Sequence, residues 1–186
     1  MKRKKETIQE GFTLIELMLV VLIIGVLSGL MLGVINIPGI QSKSRDARRI
    51  GELKRIQTAL ELYFADFRGY PSKTAWQDLS VAGNSVSSAI SPIYINKVPE
   101  DPKKGSNASA GVSCFNGKTA YGYYYITNSC VGSGCLSGKY VLGAIMEVSG
   151  SATNYLCSNL GNCTGATPAI TCACGGAYCY GVENPL

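Results

Sequence analysis

Two groups of residues in this chain have types and spacing that can do chemistry. One is a carboxylate, Glu16, which is the only charged residue between Phe12 and Ile37. A charge at mid-bilayer costs about 2.5–3.5 kcal/mol on insertion scales, so an acid inside such an apolar run is a functional candidate by default. The plainer reading is that Glu16 snorkels to the headgroups from near a helix end. The other group is a set of eight cysteines, Cys114, Cys130, Cys135, Cys157, Cys163, Cys172, Cys174 and Cys179, all within the last 73 residues. That density is typical of exported regions stapled by disulfides, and the even count favours four bridges. Eight cysteines allow on the order of a hundred pairings, which sequence does not choose among. Cys130–Cys135 and Cys157–Cys163 are the nearest local loops. A metal cluster is the rival reading, weakened by the lack of any Cys-x-x-Cys pair or histidine.

The same composition narrows the function classes. Without histidine there is no His-based triad, most catalytic zinc sites are excluded, and so is haem attachment through Cys-x-x-Cys-His. Gly117-Lys118 and Gly138-Lys139 lack the spacing of a phosphate loop. No cofactor is expected, and the chain does not read as an enzyme. Residues 1–11 hold four basic and two acidic side chains; the remainder carries 13 Lys+Arg against 10 Asp+Glu, a net +3. That excess is too small for a dedicated nucleic-acid site. Asn107-Ala-Ser and Asn162-Cys-Thr match the glycosylation acceptor pattern, a weak signal on its own.

The elements that must position these residues follow from periodicity. Lys2, Arg3, Lys4 and Lys5 precede an apolar segment over 12–37, roughly 26 residues or about 39 Å of helix, enough to cross a bilayer with the basic end in the cytoplasm. The small residue that fits a cleavage site, Gly11, precedes this segment, so the helix would survive processing. Gly25, Gly29 and Gly33 share one face, suited to close helix contact or simply common in such segments. Pro38 predicts a kink or a melted stretch.

From 43 to 68 an amphipathic helix resumes, with Ile50, Leu53, Ile56, Leu60, Phe64 and Phe67 as its apolar stripe. Arg45, Arg48, Arg49, Lys54 and Arg55 lie largely off that stripe, as a solvated face or as a phosphate or lipid-headgroup site. Gly69-Tyr70-Pro71-Ser72 stops the helix. Residues 72–118 read as a long surface connection, with a helical turn at 76–79 and an extended piece at 92–95. Residues 121–127, 139–148 and 177–182 have strand composition. The expected fold class is α+β: a long N-terminal helix, half in the membrane and half amphipathic, packed on a small antiparallel sheet of three or four strands. The Cys-rich region closes the 38–186 domain, within 119–186. The tyrosines fit the alternation of a half-buried strand.

Gly11-Phe12-Thr13-Leu14-Ile15-Glu16 resembles the leader junction of type IV pilins and of type II secretion pseudopilins. The resemblance implies removal of residues 1–11 by a prepilin peptidase cutting after Gly11, methylation of the new Phe12 amine, and helical polymerisation through the apolar helix. It also implies an inner-membrane assembly platform as partner, with a single-pass inner-membrane subunit that leaves for a filament or the cell surface. In a bundle of such helices, Glu16 of one subunit would pair with the Phe12 ammonium of a neighbour and set the axial register. Ser44-Arg45-Asp46-Ala47-Arg48-Arg49, Ile56-Gln57-Thr58-Ala59-Leu60-Glu61-Leu62-Tyr63, Gly69-Tyr70-Pro71 and Val98-Pro99-Glu100-Asp101-Pro102 are similar to the major-pseudopilin group. The chain departs from that group at Lys103, where an aromatic is usual, and near its C-terminus, where cysteines replace an acidic calcium loop.

Three functions compete. The leading expectation is a structural subunit of a type IV pilus. The alternative is a pseudopilin of a type II secretion system. A membrane-anchored thiol or metal protein is the third, and it leaves Glu16 and the Gly11-Phe12 junction unexplained.

Overall fold

The computed structural model describes residues 11–34, 37–128, 136–149, 157–164, 170, 172 and 176–185. The chain divides into two units, Met1–Pro38 and Gly39–Leu186. In the first, helix α1 spans Leu14–Val34, 21 residues, or about 32 Å at about 1.5 Å per residue. Among the described residues, no helix is long and apolar enough to cross a membrane. Every residue from Gly11 to Leu30 is exposed.

Helix α2 is Ile37–Phe67 and contains Pro38. Residues 35–36, part of the expected kink, lie outside the described residues. Arg68, in the left-handed region at φ 59°, closes α2, its N–H bonding the Phe64 carbonyl at 2.7 Å. The second unit continues with β1 (Tyr70–Pro71), β2 (Gln77–Asp78), α3 (Ser85–Ile90), β3 (Tyr123–Thr127), β4 (Leu136–Ser137), β5 (Tyr140–Ile145), a 3₁₀ turn at Cys157–Asn159, α4 (Gly161–Thr164) and β6 (Cys179–Glu183). A four-stranded antiparallel sheet runs β2-β3-β5-β6, and β1 pairs separately with β4.

The fold is α+β, as expected, but three local expectations fail. The stretch over 72–118 is not a surface connection: it supplies β2, α3 and the buried side chains Trp76, Leu79, Val86, Ile90 and Val98. Residues 77–78 are an edge strand, not a helical turn, because they pair with Tyr124 and Tyr125. Residues 91–94 are turn, not extended, with the Tyr94 N–H on the Ile90 carbonyl at 2.9 Å. Polar caps do what periodicity could not signal: the Asn84 side chain accepts from the N–H groups of Val86 and Ser87, starting α3.

The sheet is buried on both faces. Tyr123, Tyr125, Tyr140, Leu142 and Ala144 pack on Leu53, Ile56, Ala59 and Leu60 of α2. Tyr124, Ile126, Val141 and Ile145 point the other way, onto Trp76, Phe115, Leu160 and the cysteines. All five residues of β3 are therefore buried, where a half-buried strand was expected. Phe67, the last member of the α2 stripe, is 52% exposed.

Two paired glycines, Gly143 of β5 and Gly181 of β6, open a trough on the outer face. A Cβ at Gly143 would stand 2.4 Å from the Phe115 ring, and one at Gly181 would stand 2.8 Å from Leu160 Cδ1. Phe115 is wedged between Trp76 and Tyr124, at centroid separations of 4.6 and 5.2 Å, and has nowhere to move. Gly143→Ala is expected to destabilise the domain by about 1–3 kcal/mol, the cost of overpacking a filled core. Denaturant unfolding of the detergent-solubilised chain checks this, with Gly51→Ala, whose Cβ meets nothing within 4 Å, as the neutral or stabilising comparison.

Candidate functional site

The N-terminal junction is built by a local rule. Thr13 is the residue before α1, and Glu16 is the third helical residue, the arrangement of a capping box. Glu16 Oε2 accepts from the Thr13 N–H at 2.9 Å and the Thr13 hydroxyl at 2.8 Å. In return the Thr13 Oγ1 accepts from the Glu16 N–H at 3.4 Å. Two orphan donors of the helix start are thereby satisfied, and the negative charge sits at the positive end of the helix dipole. Sequence reasoning saw Glu16 but missed Thr13, although Thr-x-x-Glu before an apolar run is a readable signal. Gly11 and Phe12 precede the helix without regular structure, and Phe12 is 91% exposed. Phe12, Ile15, Glu16, Leu19 and Val20 line one shallow apolar depression along α1.

The described cysteines form part of the outer core rather than a tail held by staples alone. Cys114 joins Cys179 and Cys163 joins Cys172. Cys157 is also disulfide-bonded. The expected Cys157–Cys163 loop is therefore wrong: Cys163 is committed to Cys172. Cys130, Cys135 and Cys174 lie outside the described residues, and the Cys130–Cys135 pairing with them. Cys114, Cys157, Cys172 and Cys179 are buried beside Trp76 and Phe115, and the Trp76 Nε1–H donates to the Cys172 carbonyl at 2.7 Å. Oxidised sulfurs have no thiolate to offer a metal, and no cluster that could hold one occurs among the described residues. Asn162, one of the two glycosylation-pattern asparagines, is buried and donates to the Tyr140 carbonyl and to Asn184.

The largest departure from the sequence reading is the basic cluster. Arg49, expected on a solvated face, has no exposed side-chain surface and binds three carboxylates from three parts of the chain. Its Nε and Nη2 grip both oxygens of Asp101 at 2.7 and 2.9 Å. Its Nη1 reaches Asp46 at 2.7 Å and Glu147 at 2.9 Å. Asp46 in turn accepts from the backbone N–H groups of Glu147 and Val148, just after β5. Arg45 grips Glu147 with two bonds of 2.7 Å, and Lys103 approaches it at 3.4 Å. Lys103 thus replaces the aromatic usual in the resembled group with a cation aimed at the same cluster, and it lies 4.9 Å from the Tyr121 ring. A second carboxylate, Glu52, takes Arg48 at 2.8 Å and the Tyr123 hydroxyl.

Hydrogen bonds from Arg45 first, then Arg49, outweigh burial and hold the Glu147 pKa down from 4.5 to about 2. Burial opposes the Arg49 charge, but Asp101, Glu147 and Asp46 more than offset it, so its pKa rises above the ordinary arginine value. This cluster clamps α2, the 98–104 loop and the exit of β5 together. It presents no open coordination position and no nucleophile.

A long exposed N-terminal helix followed by a helix laid on a small antiparallel sheet defines a pilin-like subunit. The family model described as "Prokaryotic N-terminal methylation motif" matches residues 8–32. The type II secretion system core protein G of Aeromonas hydrophila is 33% identical over 100 residues, covering 50% of this chain and 67% of that protein. Its counterpart in Pseudomonas aeruginosa is 36% identical over 101 residues, covering 50% and 68%. That in Escherichia coli K12 is 31% identical over 98 residues, covering 50% and 66%. No solved structure matches. The chain belongs to the type IV pilin and pseudopilin family. These names favour the secretion alternative over the pilus subunit that sequence reading put first.

Two outcomes test the cluster. Arg49→Met leaves three carboxylates facing one another and is expected to cost about 3–5 kcal/mol in denaturant unfolding. Glu147 is more acidic folded than unfolded, so it adds stability that is complete above about pH 4.5 and lost as pH falls towards 2. Glu147→Gln should therefore flatten the acid limb of a Tm-against-pH curve while lowering Tm at neutral pH.

Proposed function

We propose that this chain is a pseudopilin. Its leader is removed after Gly11, α1 holds the subunit in the inner membrane, and the mature subunits polymerise into a filament that serves protein secretion. The observation carrying this reading is the set of relatives, each named as a type II secretion core protein, together with the prepilin motif over 8–32. The capping box supports it physically. Two of the bonds to Glu16 come from Thr13 and use one carboxylate oxygen. The other oxygen is oriented by the cap and offered to a cation. The Phe12 ammonium of a neighbouring subunit is the partner that the processed family supplies, and once apolar helices surround the pair, removing either charge strands the other.

The proposed role is structural, with no catalysis. The assembly platform and prepilin peptidase are its proposed protein partners. A pilus subunit remains the second reading, favoured by the disulfide-bonded outer core, which suits a surface exposed to the outside. Loss of the chain separates the two: stranding of exoproteins in the periplasm supports the pseudopilin, and loss of surface pili with normal secretion supports the pilus.

Glu16→Ala is expected to be cut after Gly11 as efficiently as the unaltered chain and to yield no filaments. Intact mass of the membrane-extracted subunit reads the first, and electron microscopy of sheared material reads the second. Normal filaments from that variant would remove Glu16 from assembly.

A further inference from the structure

The distribution of charge over the second unit is lopsided in a way that its net value hides. The fold turns most carboxylates inward, Asp66 and Glu100 excepted: Asp46, Glu52 and Asp101 are 1%, 8% and 4% exposed, and Glu147 lies against Arg45 and Arg49. Glu61 accepts the hydroxyls of Tyr70 and Tyr140, and Glu183 caps Gly161 and Asn162. Between Ile40 and Leu62, α2 keeps Lys43, Arg48, Lys54 and Arg55 exposed and no acidic residue exposed. At about 100° per residue, the centre of that outward face is Ile40, Ser44, Ala47, Gly51, Thr58 and Leu62, every one exposed. Lys43 and Lys54 flank it on one side, Arg48 and Arg55 on the other.

We infer that this face of α2 lies on anionic phospholipid headgroups of the bilayer that α1 enters, before the subunit joins a filament. The inference rests on the membrane-anchored reading above. The apolar face of α2 is spent on the sheet, so what this outward strip offers a bilayer is its two rows of cations rather than an inserted apolar face. The cations are drawn to a negative surface within a Debye length, about 10 Å at 0.1 M salt. The tether is covalent: Lys43 follows Val34, the last residue described in α1, by nine residues. A weak attraction therefore acts at high effective concentration. A second copy fits less well, because a two-fold pair of these faces sets four cations against four identical ones.

Lysine footprinting tests this on the full mature chain, reconstituted in phosphatidylcholine vesicles and in vesicles of equal parts phosphatidylcholine and phosphatidylglycerol. Acylation of Lys43 and Lys54 is expected to slow at least about threefold in the anionic vesicles, with Lys97 and Lys118 unchanged. Raising salt to about 1 M, where the Debye length is about 3 Å, should abolish the difference. Arg55→Glu should shrink it at low salt. Equal labelling in both vesicles overturns the inference, as does a uniform fall at all four lysines. Protection in phosphatidylcholine alone that grows with protein density also overturns it, in favour of a contact between copies. Carbonate extraction separates this from the reading beneath it. A chain released from both vesicle types defeats the membrane anchor itself; a chain retained but unprotected defeats only the headgroup contact.

Discussion

The second unit depends on one guanidinium. Arg49 is buried without water contact, a position a charge occupies only when its partners compensate nearly all the lost hydration. Each partner comes from a different part of the chain: Asp46 from its own helix, Asp101 from the loop after α3, Glu147 from the end of β5. None of these segments can shift without exposing a charge to a low-dielectric surrounding. Apolar packing between α2 and the sheet supplies more of the driving force, but it tolerates sliding. The bidentate grip on Asp101 does not, because the planar fork fits a carboxylate in one geometry. The cluster thereby fixes the register of α2 on the sheet.

The outer face of the sheet is held by shape as much as by sulfur. Gly143 and Gly181, neighbours across β5 and β6, remove two side chains where Phe115 and Leu160 must enter. The disulfide from Cys114 to Cys179 then ties the segment carrying Phe115 to β6 itself. The Cys-rich region thus combines a covalent tie with a small aromatic core, each limiting the movement the other would otherwise allow. Core and tie close a face that an antiparallel sheet often leaves to solvent.

What was legible in the sequence was what repeats or is local. The period of the α2 stripe, the composition of β3 and β5, and the Gly-Phe junction before an apolar run all announce themselves within a few residues. The family was readable from the junction for the same reason. The ion cluster was not, because Arg49 and Asp101 are 52 positions apart and nothing local marks either as buried. An arginine off the apolar stripe reads as solvated unless the loop that covers it is known. The two-residue β2 was invisible for a similar reason, since strand formation there depends on pairing with Tyr124 and Tyr125 rather than on its own residues. Two local signals were passed over: Thr13, whose partnership with Glu16 lies within four residues, and the Asn84 cap of α3.

That small cap has a bearing on timing. The bond between Gly11 and Phe12 lies outside the helix, while the first turn is already closed on itself by Thr13 and Glu16. Among the described residues no helical hydrogen bond spans that position, so the proposed cut would need no refolding of the segment that follows it. Under the processing proposed above, the new terminus would arise beside a finished helix end, in the same geometry in every copy. A polymer built by repeating one contact would need that uniformity, and the cap between Thr13 and Glu16 would supply it in advance of the proposed cut.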